Sequence, residues 1–104
     1  MAKPVILTTI AERNLERVVT YLLSEWGIGV ANNFVNRYEK VIDLLKETPG
    51  IFSFFNKSRG IQKCILTKHN ILFFHELESH ISVITIFDTR QDPGKLNTLF
   101  KKQL

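Results

Sequence analysis

Arg90 stands between Asp88 and Asp92 in the stretch ITIFDTRQDP, where an apolar run gives way to charge. Two chemistries are open to a guanidinium placed so. It can contact an anionic partner through its planar fork, with the neighbouring acids orienting it. It can equally be taken up in a surface ion pair with Asp88 or Asp92. Ile84, Ile86 and Phe87 read as the end of a strand, so Arg90 is expected at the rim of a sheet, not in its core. With Arg90, the residues expected to contact a target are Asp88, Lys63 and Lys68.

Other reactive side chains make weaker cases. His69, His75 and His80 fall at or beside turns, with no cysteine or acid completing a ligand set, so no metal is expected. Cys64 lies among apolar residues with no base to pair with, which reads as a small buried hydrophobe rather than a nucleophile. No Gly-rich phosphate loop and no Ser/His/Asp motif occurs, and no cofactor is expected. Phe52, Phe54, Phe55, Phe73 and Phe74 could stack on bases, but phenylalanines in strands are mostly core.

These residues need a frame, and the sequence supplies one. Val5 to Leu7 reads as a short strand. Thr9 and Glu12 have capping-box spacing, and Ala11, Leu15, Val18, Val19, Leu22 and Trp26 then recur at helical period. Gly27 and Gly29 break that helix. Val30, Phe34, Tyr38, Val41, Ile42 and Leu45 form a second stripe, ended by Thr48-Pro49-Gly50. Two such helices joined by about three residues are antiparallel neighbours, and neither can bury its stripe alone. The missing layer is supplied by Ile61 to Thr67, Ile71 to Leu77 and Ile81 to Phe87. These are three apolar runs separated by His69-Asn70 and by Glu78-Ser79-His80, hence an antiparallel meander. Phe52 to Arg59 is unpatterned and reads as a loop or ragged strand. Asp92 can cap a last short helix with Pro93 at its first position, and Leu96, Leu99 and Phe100 give that helix an apolar side. The expected fold class is α+β: N-terminal strand, antiparallel helical hairpin, three-stranded antiparallel meander, short C-terminal helix.

The 104 residues suit one domain, 1–104, with a core that needs no staples. A hydrophobic fraction of 44% with 23% charge is that of a folded protein. No apolar run approaches the roughly 18 residues needed to span a bilayer, and the N-terminal segment lacks the pattern of a secretory signal. The lone Cys64 excludes an internal disulfide and fits a reducing, cytoplasmic setting. Net charge is +4, and residues 53 to 104 carry the whole excess, eight Lys/Arg against four Asp/Glu. Either a solvated surface or a face for an acidic partner, nucleic acid or protein, would account for it.

Taken in order, the stretches AERNLERVVTYLLSEWG, ANNFVNRYEKVIDLLKETPG, GIQKCILTKHNILFFHE and ITIFDTRQDPGKL resemble the ParE/RelE toxin superfamily of bacterial toxin–antitoxin pairs. Its members are also described as plasmid stabilisation proteins. The resemblance covers nearly the whole chain. It implies the toxin of a type II toxin–antitoxin system, neutralised by a cognate antitoxin with which it forms a hetero-oligomer. The RelE branch cleaves messenger RNA on the ribosome without metal, using cationic side chains and a tyrosine or histidine. The ParE branch inhibits DNA gyrase and performs no such cleavage. Ribonuclease members carry basic residues at alternate positions of the strand matching Ile61 to Thr67. The best register puts Gln62 and Cys64 there, with Lys63 on the opposite face; ParE-like relatives often have arginine where Gln62 stands. No tyrosine follows Tyr38 and no histidine follows His80, so the usual C-terminal acid/base is missing. Lys68, His69 and His75 are the available substitutes. Arg90 matches and could serve either branch. The resemblance therefore favours a ParE-like gyrase inhibitor that is not an enzyme. Its alternatives are a RelE-like ribosome-dependent endoribonuclease and a non-toxic basic module that binds nucleic acid.

Overall fold

The computed structural model describes residues 2–103. The chain runs β1 (Val5–Leu7), α1 (Thr9–Trp26), α2 (Ile28–Glu47), β2 (Phe54–Asn56), β3 (Ile61–Thr67), β4 (Asn70–Glu76), β5 (Ile81–Asp88) and α3 (Gly94–Gln103). One sheet holds all five strands in the order β1-β5-β4-β3-β2. The meander β3-β4-β5 is antiparallel, and β1 returns to lie parallel beside β5. This is the α+β architecture the sequence predicts.

Both faces of the sheet are covered. Alternation along β3 sends Gln62, Cys64 and Leu66 to one side and Ile61, Lys63 and Ile65 to the other. On the first side Cys64, Leu66, Leu72, Phe74, Ile81 and Val83 meet Ala11, Phe34, Val41 and Leu45 of the helical hairpin. On the second side Ile61, Phe73, Ile84 and Phe87 pack under Leu96 and Phe100 of α3. Phe55, Phe73 and Phe100 form an edge-to-face trio there, with ring centroids 4.9–5.7 Å apart. The aromatics considered for base stacking are thus largely core: Phe73 and Phe74 are buried, and Phe52 lies edge-on to Phe74. Phe54 and Phe55 remain partly exposed.

Several local expectations shift. The helix cap is Thr8, not Thr9: its Oγ accepts from Ala11 N–H at 3.1 Å and donates to Ile84 C=O at 2.7 Å. Thr9 is already helical. A threonine at either position fits a capping pattern, and the carbonyl of Ile84 decides between them. The hairpin turns on Gly27 alone, whose φ of 87° is a left-handed value that a side chain would strain. Gly29 lies inside α2 and breaks nothing. The turn between β3 and β4 is Lys68-His69, with Asn70 already paired to Asp88. Phe52 to Arg59 yields the three-residue strand β2 and a following 3-10 turn, capped where Asn56 Oδ1 accepts from Arg59 N–H at 3.2 Å. Asp92 does cap the start of α3, its carboxylate accepting from Gly94 N–H at 2.9 Å, but the helix begins at Gly94, so Pro93 precedes it and does not hold its first position.

Candidate functional site: a groove along the free edge of β5

β5 has eight residues and its outer neighbour β1 only three, so most of that edge needs other partners. The chain fills it group by group. Val83 C=O accepts from Thr8 N–H at 3.0 Å and Ile84 C=O from Thr8 Oγ. Ile86 N–H donates to Asn14 Oδ1 at 3.1 Å, which Thr85 Oγ1 also reaches at 2.7 Å. Ile84 is an extra residue on β5, since Phe74 pairs with Val83 but Phe73 with Thr85. That bulge is what presents its carbonyl to the helix cap.

Beyond Asn14 the edge stays open. In an antiparallel ladder alternate residues turn both backbone groups to the same side. Thr89 N–H bonds to His69 C=O on the β4 side, so Ile86 and Asp88, in the opposite phase of the strand, turn theirs away from β4. Asp88 C=O accepts from Gln91 N–H at 3.0 Å. By that phase Ile86 C=O and Asp88 N–H point away from β4, on the side of a groove of about 890 Å³ that both residues line, and no helix, loop or side-chain group among the described residues bonds to them. α1 forms one wall through Ile10, Val18 and Tyr21, and α3 the other through Lys95, Leu96 and Leu99. Trp26, 66% exposed at the hairpin tip, lies at its end. The opposite half-edge of the sheet is closed: Arg37 donates to Ile65 C=O and Leu66 C=O at 3.2 and 3.3 Å where β2 has ended.

Arg90 sits at the groove mouth, on the rim, and its guanidinium is already engaged. Nε and one terminal nitrogen reach the two carboxylate oxygens of Asp88 at 3.0 and 2.7 Å, and its backbone N–H donates to the same carboxylate at 2.9 Å. Asp92 is not the partner; it caps α3. The side chain of Arg90 is 56% exposed and that of Asp88 26%. Hydrogen bonding from Arg90 holds the Asp88 carboxyl below its usual value, with His69 adding a smaller push. The guanidinium is correspondingly held above its own, by Asp88 first and by Tyr21 beside it second.

The other expected target contacts are dispersed. Lys68 and His69 form the turn next to Asp88, so they share its end of the sheet. Lys63 does not: it is paired with Phe73 on β3, two strands away, exposed on the face opposite the hairpin. Cys64 is buried and its thiol pushed up by burial, as a core residue. Gln62 is only 3% exposed, its amide donating to Pro49 C=O at 2.9 Å and Phe52 C=O at 3.1 Å. His69 and His80 lie at opposite ends of β4, and no metal-binding group of side chains exists among the described residues. Asn14, Arg17, Tyr21 and Lys95 join the site without having been expected from the sequence. Arg17 and Tyr21 are one helical turn apart and next to the apolar stripe, which was the available signal.

Fold and groove together define a small one-sheet α+β protein with a basic, partly apolar cleft at a strand edge. Solved structures share that fold. A chain of the chromosomal ParDE TA system from P. aeruginosa aligns with 84% of this chain and 96% of its own, at TM-score 0.70 and 13% identity. A chain of the YoeB-YefM complex from Staphylococcus aureus covers 84% and 97%, at TM-score 0.55 and 8% identity. No protein-family model and no curated protein matches the sequence. The resemblance read from the sequence is thus met at the level of the fold.

Proposed function

We propose that the protein is the toxin of a type II toxin–antitoxin pair, acting as a ParE-like inhibitor of DNA gyrase in the cytoplasm and neutralised by a cognate antitoxin. The observation that carries the choice of branch is the burial of Cys64 beneath the helical hairpin; Gln62 is buried on the same face, but its missing charge bears on both branches, since ParE-like relatives often carry arginine there. Metal-free cleavage of a phosphodiester needs a proton acceptor, a proton donor and charge at the phosphate. The strand positions that supply charge in ribonuclease relatives carry, in this chain, two uncharged side chains turned into the core. Support for the ParE side also comes from the higher TM-score of the ParDE chain. The groove supports the partner. An acidic, extended segment that folds on binding suits a basic cleft with an open strand edge, and the apolar walls supply area for it to bury.

Expression of the chain alone tests the reading. Gyrase inhibition predicts an induced DNA-damage response with intact messages, and relief when the antitoxin, a small acidic partner recovered by co-purification, is co-expressed. Message cut at codon positions without DNA damage would move the protein to the ribonuclease branch. No toxicity and no co-purifying partner would reject the toxin reading.

A further inference from the structure

Among the described groove-lining residues the charged ones are Arg17, Arg90, Lys95 and a single acid, Asp88, with His69 beside them. That acid is positioned against recognition of an anion: it fills the fork of Arg90, one of the two arginines that line the groove. Its own backbone N–H is one of the two open edge groups. A segment pairing with that edge therefore arrives beside the Asp88 side chain.

We infer that Asp88 is a built-in competitor that determines the specificity of the groove. It keeps the Arg90 fork closed to isolated anions and releases it to a carboxylate delivered by an extended acidic protein segment already paired to β5. The inference rests on the antitoxin reading above and names how that partner is selected. Only Thr89 separates Asp88 from Arg90, so its carboxylate is present at a high effective concentration. A free phosphate or carboxylate at millimolar level meets that competition unaided. A carboxylate on a chain anchored at Ile86 C=O and Asp88 N–H is tethered too, and exchanges on equal terms. The same rim charge otherwise draws in any acidic chain, so a self-paired arginine converts attraction into selection.

The test uses the intact protein and a defined probe, a blocked ten-residue peptide of alternating Glu and Val. Inorganic phosphate and the Gln–Val peptide serve as comparisons. Trp26 is the only tryptophan and lines the groove, so its fluorescence reports occupancy. The decisive variant is Asp88→Asn, which keeps an oxygen for the Arg90 N–H but loses the charge that holds the fork. Its affinity for the Glu–Val peptide is expected to rise about tenfold, the size of one charge-assisted hydrogen-bond pair set free. Phosphate, silent with the wild type, is expected to bind the variant measurably. Arg90→Gln should weaken the wild-type interaction, and adding Asp88→Asn to it should give no gain. An unchanged or weaker peptide affinity in Asp88→Asn overturns the inference and makes Asp88 an orienting residue. Equal binding by wild type and Arg90→Gln overturns it without reliance on the Asp88 variant. Failure of every form to bind the peptide overturns the groove reading together with the inference. Toxicity enters none of these measurements, so a failed gyrase assay leaves their outcome intact.

Discussion

Replacing Gln62 separates a structural role from a functional one at a position where ParE-like relatives often carry arginine. The side-chain amide holds two carbonyls, those of Pro49 and Phe52, at 2.9 and 3.1 Å, and so fixes the turn that leads from α2 into the sheet. Pro49 C=O retains a weaker partner in Phe52 N–H at 3.3 Å, whereas Phe52 C=O is left with none of the described donors. Two hydrogen bonds are worth about 1–3 kcal/mol net, and truncating the buried stem to alanine removes about 1.5 kcal/mol of burial. A loss of about 3 kcal/mol corresponds to a fall in Tm of roughly 10–20 °C for a domain of this size. Gln62→Leu restores the burial but not the bonds and should cost roughly half as much. Thermal unfolding followed by circular dichroism gives the Tm. Gyrase inhibition is then measured well below both midpoints, where each variant is folded. The structure predicts lower Tm with activity per folded molecule unchanged. A variant that keeps its Tm but loses activity would show that Gln62 reaches the target, and would refute the inference from its burial.

Other consequences follow from single residues. Gly27→Ala should destabilise the protein by about 1–3 kcal/mol, because φ 87°, ψ 176° is a region open essentially to glycine alone. Gly29→Ala, inside α2 with open space around the new methyl, should instead be neutral or stabilising by up to about 1 kcal/mol; a fall in Tm at Gly29 as large as that at Gly27 would contradict the assignment of the hairpin turn to Gly27. Asp88 is depressed by Arg90, so its pairing stabilises the fold above the unfolded-state value near pH 4 and is lost as pH falls through the lower folded value. The stability difference between wild type and Asp88→Asn should therefore shrink on acidification below about pH 4, and a difference that grows there would contradict the ion pair. Arg90→Ala should lower Tm only slightly, by the one exposed ion pair it removes, while toxicity falls sharply; Arg90→Lys should rescue partly, losing the fork but not the charge. Lys63→Ala, a charge loss two strands away, is the matched control, and equal toxicity in all three variants would move the active surface elsewhere.

The elements were legible because their signals are local. α1 and α2 show apolar stripes at helical period, and β3, β4 and β5 are apolar runs bounded by turn residues, with β4 and β5 buried on both faces instead of alternating. What escaped was decided by contacts between distant residues. Thr8 displaced Thr9 as the cap because a bulge at Ile84 offers it a carbonyl 76 positions away. β2 has only three residues and pairs irregularly with β3, too short for a periodic signal. Arg90 at the rim was readable from the end of the apolar run, and so was an acidic partner at Asp88 or Asp92. Which acid it takes was not, since Asp92 has a competing use at the start of α3. The groove itself was invisible, because Asn14, Tyr21 and Lys95 are ordinary surface residues until β1 stops short and α3 folds over the sheet.

The sharpest test of the proposed activity is inhibition of DNA gyrase by the purified protein. Relaxed plasmid, gyrase and ATP are incubated with increasing amounts of wild-type protein, and supercoiled and linear products are separated on a gel. A gyrase inhibitor of this kind gives dose-dependent loss of supercoiling with accumulation of broken DNA. Supercoiling unaffected at every concentration, by a preparation that cuts message in a translating extract, would contradict it.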